Sequence, residues 1–282
     1  MFEFRAKVII LLALIAVSSV IGRTSNGAAK SDAWEKLDKG LEYATLDAPA
    51  KSSIGDSKIR VLRINPRHYS FHLVNVSEND ENSAMSVRGW AKKNDFVAAI
   101  NASMFQRDMR TSISFMRNRS HINNAKMTRD KTIFAFQSTG EKYRFPVIFD
   151  RECDDVEEMK AHFRVHVQSI RMISCNGRNV WKEQKDSWST AAIANDHDGN
   201  ILFIHVQSPY PTHELIAHLL TLPLNIRTAM YVEGGPQAQL FIKTSDQEHI
   251  LLGRYTSELL GRAEAKIGWP VPNVIGIRQR KQ

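Results

Sequence analysis

Apolar and polar residues alternate with a period of two over much of this chain, and wherever they do the pattern predicts strands. Residues 58–65 (KIRVLRIN) alternate and are rich in β-branched side chains, and 68–75 repeat the pattern after Pro66, so the two read as a β-hairpin. Further strands are expected near 96–100, 113–117, 132–137, 144–149, 165–173, 179–181, 190–195, 201–207 and 228–232, then from Phe241-Ile242 and at 250–252. Asp198-Gly199 reads as the hairpin turn between two of them. Helical spacing is confined to a few segments. Residues 83–93 have helical spacing with Met85, Val87 and Trp90 apolar, 154–163 run from acidic to mixed, and 213–222 place Leu215, Ile216, Leu219 and Leu220 together between two prolines. Residues 34–46 (WEKLDKGLEYATL) suggest a short amphipathic helix or turn leading into a strand, broken at Gly40. The tail at 269–277 (WPVPNVIGI) suits a sheet edge, where proline is tolerated. No fixed-period repeat is present. The fold class expected from this pattern is α+β: a single mixed domain with a central, largely antiparallel sheet and a few packed helices.

The N-terminus breaks the pattern. Arg5 and Lys7 precede an apolar run at residues 8–21, and small and polar residues follow at 22–29, the layout of a signal peptide. The run of 14 residues is short of the roughly 20 that span a bilayer, so residues 1–29 are expected to be a signal peptide or signal anchor and 30–282 the working domain. Cleavage near Gly27 or Ala29 fits the small residues there, and no Cys follows the run to make a lipidation box. The protein is therefore expected in the periplasm or secreted, with bacterial export, meeting a membrane only through the N-terminal segment if that stays uncleaved.

Composition adds a partner class. With 43% hydrophobic and 24% charged residues the chain can bury an ordinary core, which excludes wholesale disorder. The formal charge is +8, of which two units belong to the N-terminal segment. The basic residues are scattered, with a local excess at Arg107, Arg110, Arg117, Arg119, Lys126 and Arg129, pointing to an anionic ligand rather than nucleic acid, or to a solvated basic face. The two cysteines, Cys153 and Cys175, suit a disulfide in an oxidising compartment, closing a loop of about 23 residues worth about 3 kcal/mol; two buried thiols are the alternative.

Two strand ends carry candidate chemistry. In AMYVEGGPQAQL an apolar strand ends in a lone carboxylate, Glu233, followed by Gly234-Gly235-Pro236; glycines permit positive φ and close approach of a ligand to the backbone. In VAAINASMF a buried strand ends at Asn101, before Ser103, and an amide there can bond a sugar hydroxyl or serve as a turn former. The spacing of His162 and His166 would put both on one helix face, but the alternation after Phe163 reads as strand, so no metal site is assigned. Nucleophile elbows and glycine-rich phosphate loops are absent from the sequence. The N-x-S pattern recurs at Asn75, Asn101 and Asn118; a sequon on a candidate site residue fits a bacterial exported protein, in which it carries no glycan.

The pairing of INASMF with YVEGGPQAQL, with QSIRMISCNGRNVW and WSTAAIANDHDGNILFIHVQSP between them, resembles the phosphodiester glycosidase family over roughly Trp34 to the C-terminus. Matched by position, Asn101 falls on the family's asparagine, and Glu233, Gly234 and Gly235 fall on its acidic-glycine-glycine turn, with Glu where many relatives have Asp. Thr190 stands where relatives begin a strand with arginine, and Ile170-Arg171 where they have Gly-Pro, so the resemblance leaves the phosphate-holding role to Arg171, Arg117 or Arg107. It implies an exported hydrolase that cleaves a sugar-1-phosphodiester or related envelope glycoconjugate. In that reading Glu233 is nucleophile or general base and Asn101 a further catalytic or sugar-contacting residue, while Gly234, Gly235, Ser103, Arg117, Arg171 and Thr190 bind substrate. Asp108, Asp196 and Asp198 are candidates for a second acid. No cofactor is required, and a divalent metal stays open. The alternative is a non-catalytic exported protein that binds a sugar-phosphate or glycan with the same fold.

Overall fold

The computed structural model describes residues 33–78, 83–255 and 267–281, so the expected export segment lies outside the described residues. In chain order the elements are β1 Trp34–Asp38, β2 Leu41–Asp47, β3 Lys58–Ile64, β4 Tyr69–Asn75, α1 Val87–Lys93, β5 Ala98–Asn101, β6 Met116–Asn118, β7 His121–Asn124, β8 Thr132–Ser138 and β9 Val147–Asp150. There follow α2 Val156–His162, β10 Phe163–Ser169, β11 Arg171–Ile173, β12 Ser187–Asp196, β13 Ile201–Pro211, α3 Thr212–Thr221, β14 Ile226–Gly234, a 3-10 turn Gly235–Gln237, β15 Gln239–Lys243, β16 Glu248–Leu252 and β17 Asn273–Gln279.

These strands form three sheets. One has seven strands in the order β1-β2-β3-β13-β12-β14-β11, a second the order β7-β6-β10-β8-β9, and a third the order β16-β15-β5-β17-β4. Strand occupies 47% and helix 12%, so the expected α+β arrangement around one central sheet is corrected to a mainly β fold. The reason lies in how each sheet buries its two faces. The inner faces of all three meet in one core, where Leu62 and Phe203 of the first sheet, Phe134, Phe136 and Val165 of the second, and Phe71, Ile100 and Ile275 of the third pack together. Each outer face is then covered by one short helix. Leu215, Ile216 and Leu219 of α3 lie on Ala192, Ala194 and Ile204; Met159 of α2 lies on Ile133 and Phe149; Val87 and Trp90 of α1 lie on Ala99, Phe241 and Val274. Helices are therefore lids on sheets rather than a layer of their own.

Local chemistry explains the helix starts. The Ser86 hydroxyl accepts from the Gly89 N–H at the head of α1, and Asp155 accepts from the N–H groups of Glu157 and Glu158 at the head of α2. Because α2 stops at His162 and His166 belongs to β10, the two histidines do not share a helix face. Residues 34–46 form the β1–β2 hairpin instead of a helix. The expected hairpin of 58–65 with 68–75 is also overturned: β3 pairs with β2 and β13, whereas β4 crosses to the third sheet and pairs with β17. Residues 179–181 make only an isolated bridge, Ile173 to Asn179. The tail strand β17 is not an edge but lies between β5 and β4, and its prolines, Pro270 and Pro272, come before the strand and remove no ladder donor. Among the described residues no helix is long and apolar enough to cross a membrane.

Candidate functional site

β14 runs beside the interior strand β12, with Ala191 opposite Glu233 and Thr190 opposite Gly234; a bulge at Tyr231–Glu233 breaks the ladder there. The chain then leaves the first sheet through the turn Gly235–Gln237 and enters the third as β15. Glu233 thus stands at the seam between two sheets, on a rigid strand end.

A recess of about 290 Å³ opens there, lined by Trp188, Tyr231, Glu233, Gly234, Gly235, Pro236, Gln237, Arg254 and Tyr255 together with Ser187. Glu233 is the only carboxylate and Arg254 the only cation lining it among the described residues. The Glu233 carboxyl accepts from the Gly234 N–H at 3.0 Å. Burial among the aromatic walls pushes it up to about 7, and that single N–H bond opposes the rise only in part. The same burial, with the neighbouring Glu233 charge, raises the Tyr231 hydroxyl, which stays neutral at any working pH.

The two glycines act differently. Gly235 adopts φ +61°, the left-handed conformation the turn requires. Gly234 is extended, and its importance is space: a Cβ there would lie 2.0 Å from the Tyr231 hydroxyl and 2.7 Å from Trp188 Cδ1. Its missing side chain lets both aromatic rings close on the strand end.

Behind the recess the turn is held by buried polar side chains. Asn101, 1% exposed at the end of β5, donates from Nδ2 to the Gln237 carbonyl and accepts at Oδ1 from the Gln239 N–H, both at 2.8 Å. His205 of β13 lies with Nε2 3.2 Å from the Ala238 carbonyl, and complete burial lowers its ring to about 4, so it is neutral and donates there. Asn101 thus uses both ends of its amide on the backbone and positions the turn, and it is not among the residues lining the recess.

Of the other sequence candidates, Thr190 is adjacent through its register with Gly234 but is 1% exposed. Ser103 is buried and bonded to Met104, Ser112 and the Gln168 carbonyl. Arg117 projects from β6 and donates to the Arg119 carbonyl. Arg171 is bound by Asp150 and Glu152, with Nη1 2.8 to 2.9 Å from three carboxylate oxygens, so it is not placed to clamp a phosphate at Glu233. Asp108 gives both oxygens to the Arg110 and Thr111 groups of its own loop. Asp196 and Asp198 sit at the far end of β12, five or more residues from the position facing Glu233, about 17 Å along the strand. The aromatic residues Trp188 and Tyr231 were not singled out by the sequence, although Tyr231 precedes Glu233 by two on the same strand. Arg254 had no signal, because its approach depends on the pairing of β16 with β15.

Cys153 and Cys175 are joined by a disulfide beside the Arg171–Asp150 pair. With its cysteines oxidised, the Asp150, Cys153 and Cys175 group offers no thiolate for a metal. Asp150 is fully buried, so Arg171→Ala leaves an uncompensated carboxylate and is expected to cost about 3–5 kcal/mol, read as a lowered midpoint in urea unfolding.

The phosphodiester glycosidase family model matches residues 94–278, a span that includes both Asn101 and Glu233. Among solved structures the chain is similar to a hypothetical protein from Synechocystis, at 15% identity and a TM-score of 0.57, covering 88% of this chain and 63% of that one. It is also similar to the catalytic domain of zebrafish N-acetylglucosamine-1-phosphodiester alpha-N-acetylglucosaminidase, auto-inhibited by its pro-peptide, at 13% identity and a TM-score of 0.61, covering 87% and 86%. These likenesses are of fold. The chain spans less than two thirds of the Synechocystis protein's length. No curated protein matches.

Proposed function

Since the chain belongs to the phosphodiester glycosidase family, we propose that the recess at Glu233 binds a sugar joined through its anomeric carbon to a phosphodiester and hydrolyses that bond. The observation that carries this reading is a single carboxylate with a raised proton affinity, set between aromatic walls in a recess whose lining includes one arginine. Trp188 and Tyr231 offer apolar ring faces to a sugar, with polar edges to its hydroxyls. Arg254 brings positive charge to the same recess for the phosphate.

Glycosidases ordinarily use two carboxyl groups, one to protonate the leaving oxygen. A phosphate ester leaves as a stable anion, so that acid is dispensable and one carboxylate suffices. Glu233 in its ionised form takes a proton from water as the water oxygen bonds to the anomeric carbon. The carbon–oxygen bond to phosphate breaks, and its electron pair stays on the phosphate. Asn101 and His205 act through the turn they hold. The N-terminal signal pattern and the disulfide support placing this reaction outside the cytoplasm.

Because the base form is the working one, kcat/KM for sugar release is expected to rise with pH through about 7 and then level off. A pH–rate profile on an N-acetylglucosamine-1-phosphodiester checks this; a rate that falls through the same range would make Glu233 an acid and overturn the assignment. Binding of such a compound without turnover at any pH would favour the glycan-binding alternative.

A further inference from the structure

A second recess, about 430 Å³, lies away from Glu233 and shares no residue with the first. It is lined by Arg119, Arg144 and Arg280 with His72, Gln137 and Ser138 among its polar residues, and among the described residues no Asp or Glu contributes. The arginines come from three separate segments: the β6–β7 turn, the loop between β8 and β9, and the chain after β17. Arg280 lines the groove and is anchored through Nε to the Pro66 and Tyr69 carbonyls. Arg119 is anchored through Nε to Gln137 Oε1 at 2.8 Å, and Gln137 in turn donates to the Phe71 carbonyl.

The backbone beneath this pair is strained. Arg119 has φ +57° and Gln137 φ +58°, a region that residues other than glycine enter at a cost. Arg119 and Ser120 form a two-residue hairpin loop between β6 and β7, and only the first has positive φ, a position that favours glycine. Strain of this kind persists where the side chain is needed, and here two strained residues bond each other at one groove. The field there is positive enough that Arg278, Arg119 and Arg280, after burial, hold the His72 ring down at about 4. In an adjoining smaller recess the carboxylate Glu78 accepts from Asn118.

We propose that this groove is an anion site, in which Arg119, Arg144 and Arg280 grip a phosphate group of a phosphorylated ligand at a place distinct from the Glu233 recess. Planar guanidinium forks from three chain segments suit phosphate oxygens, and the anchoring of Arg119 and Arg280 is more than a diffuse surface charge would need. The site stands whether or not Glu233 is catalytic.

Titration calorimetry of the full chain with inorganic tripolyphosphate tests it. Arg119→Gly and Arg144→Ala are each expected to weaken binding about tenfold or more, as loss of a charge-assisted pair does. Arg119→Gly should also leave the melting temperature unchanged or higher, because glycine relieves the positive φ. Arg178→Ala, which removes an equal charge from an exposed site outside the groove, should change affinity by less than about twofold, the size of a screened surface effect. Absence of tripolyphosphate binding, or equal losses in all three arginine variants, would overturn the proposal.

Discussion

Replacing Glu233 by Gln is expected to abolish sugar release and, at the same time, to make the protein more stable above neutral pH. The first effect follows from the recess having one carboxylate: an amide of the same shape cannot take the proton from water, and loss of a general base costs typically 10²–10⁴-fold. The second follows from the raised proton affinity. A carboxyl lifted from 4.5 to about 7 binds its proton more tightly folded than unfolded. Its contribution is fully favourable below about 4.5 and is lost as pH rises through about 7, a difference on the order of 3 kcal/mol by pH 8. Gln carries no such dependence. Urea unfolding at pH 5 and pH 8.5 should therefore show a gap between variant and parent that widens with pH. An equal gap at both values would mean that the carboxyl is not desolvated as described. Activity and stability moving in opposite directions is the mark of a site whose chemistry strains the fold.

Asn101→Ala is expected to lower stability and turnover together. The side chain bridges the Gln237 carbonyl and the Gln239 N–H, so truncation leaves a donor and an acceptor without partners in a closed interior. Each such group costs about 1–3 kcal/mol, and the sum should drop the melting temperature by roughly 5–15 °C. Because the amide holds the turn that follows Glu233, kcat should fall with little change in KM. A raised KM with unaltered stability would instead make Asn101 a sugar contact.

The alternating segments were legible as strands, and so were the two strand ends that matter, at Asn101 and Glu233. What the sequence concealed was which strands pair. β3 and β4 look like a hairpin because both alternate around Pro66, yet each finds its partners far along the chain, β13 and β17. β12 carries little alternation, since Ala191 and Ile193 face the shared core while Ala192 and Ala194 lie under α3. Strands apolar on both faces pass for parts of a helix-covered central sheet, which is how three sheets came to be expected as one. The role of Asn101 was equally hidden, because an amide at a strand end serves a ligand or a turn with the same residue type. Arg171 shows the same limit: its partners Asp150 and Glu152 lie some twenty positions away, and only the fold reveals that its charge is already matched. Burial of the sequon residues Asn75, Asn101 and Asn118 likewise follows from pairing, not from pattern.

The central claim, that the Glu233 recess cleaves a sugar from a phosphodiester, is tested most directly by measuring free sugar released from a panel of sugar-1-phosphodiesters by the parent protein and by Glu233→Gln under identical conditions. The account predicts release by the parent from at least one member and none above background by the variant. Equal release by both, or none by a folded parent on any member, would contradict it.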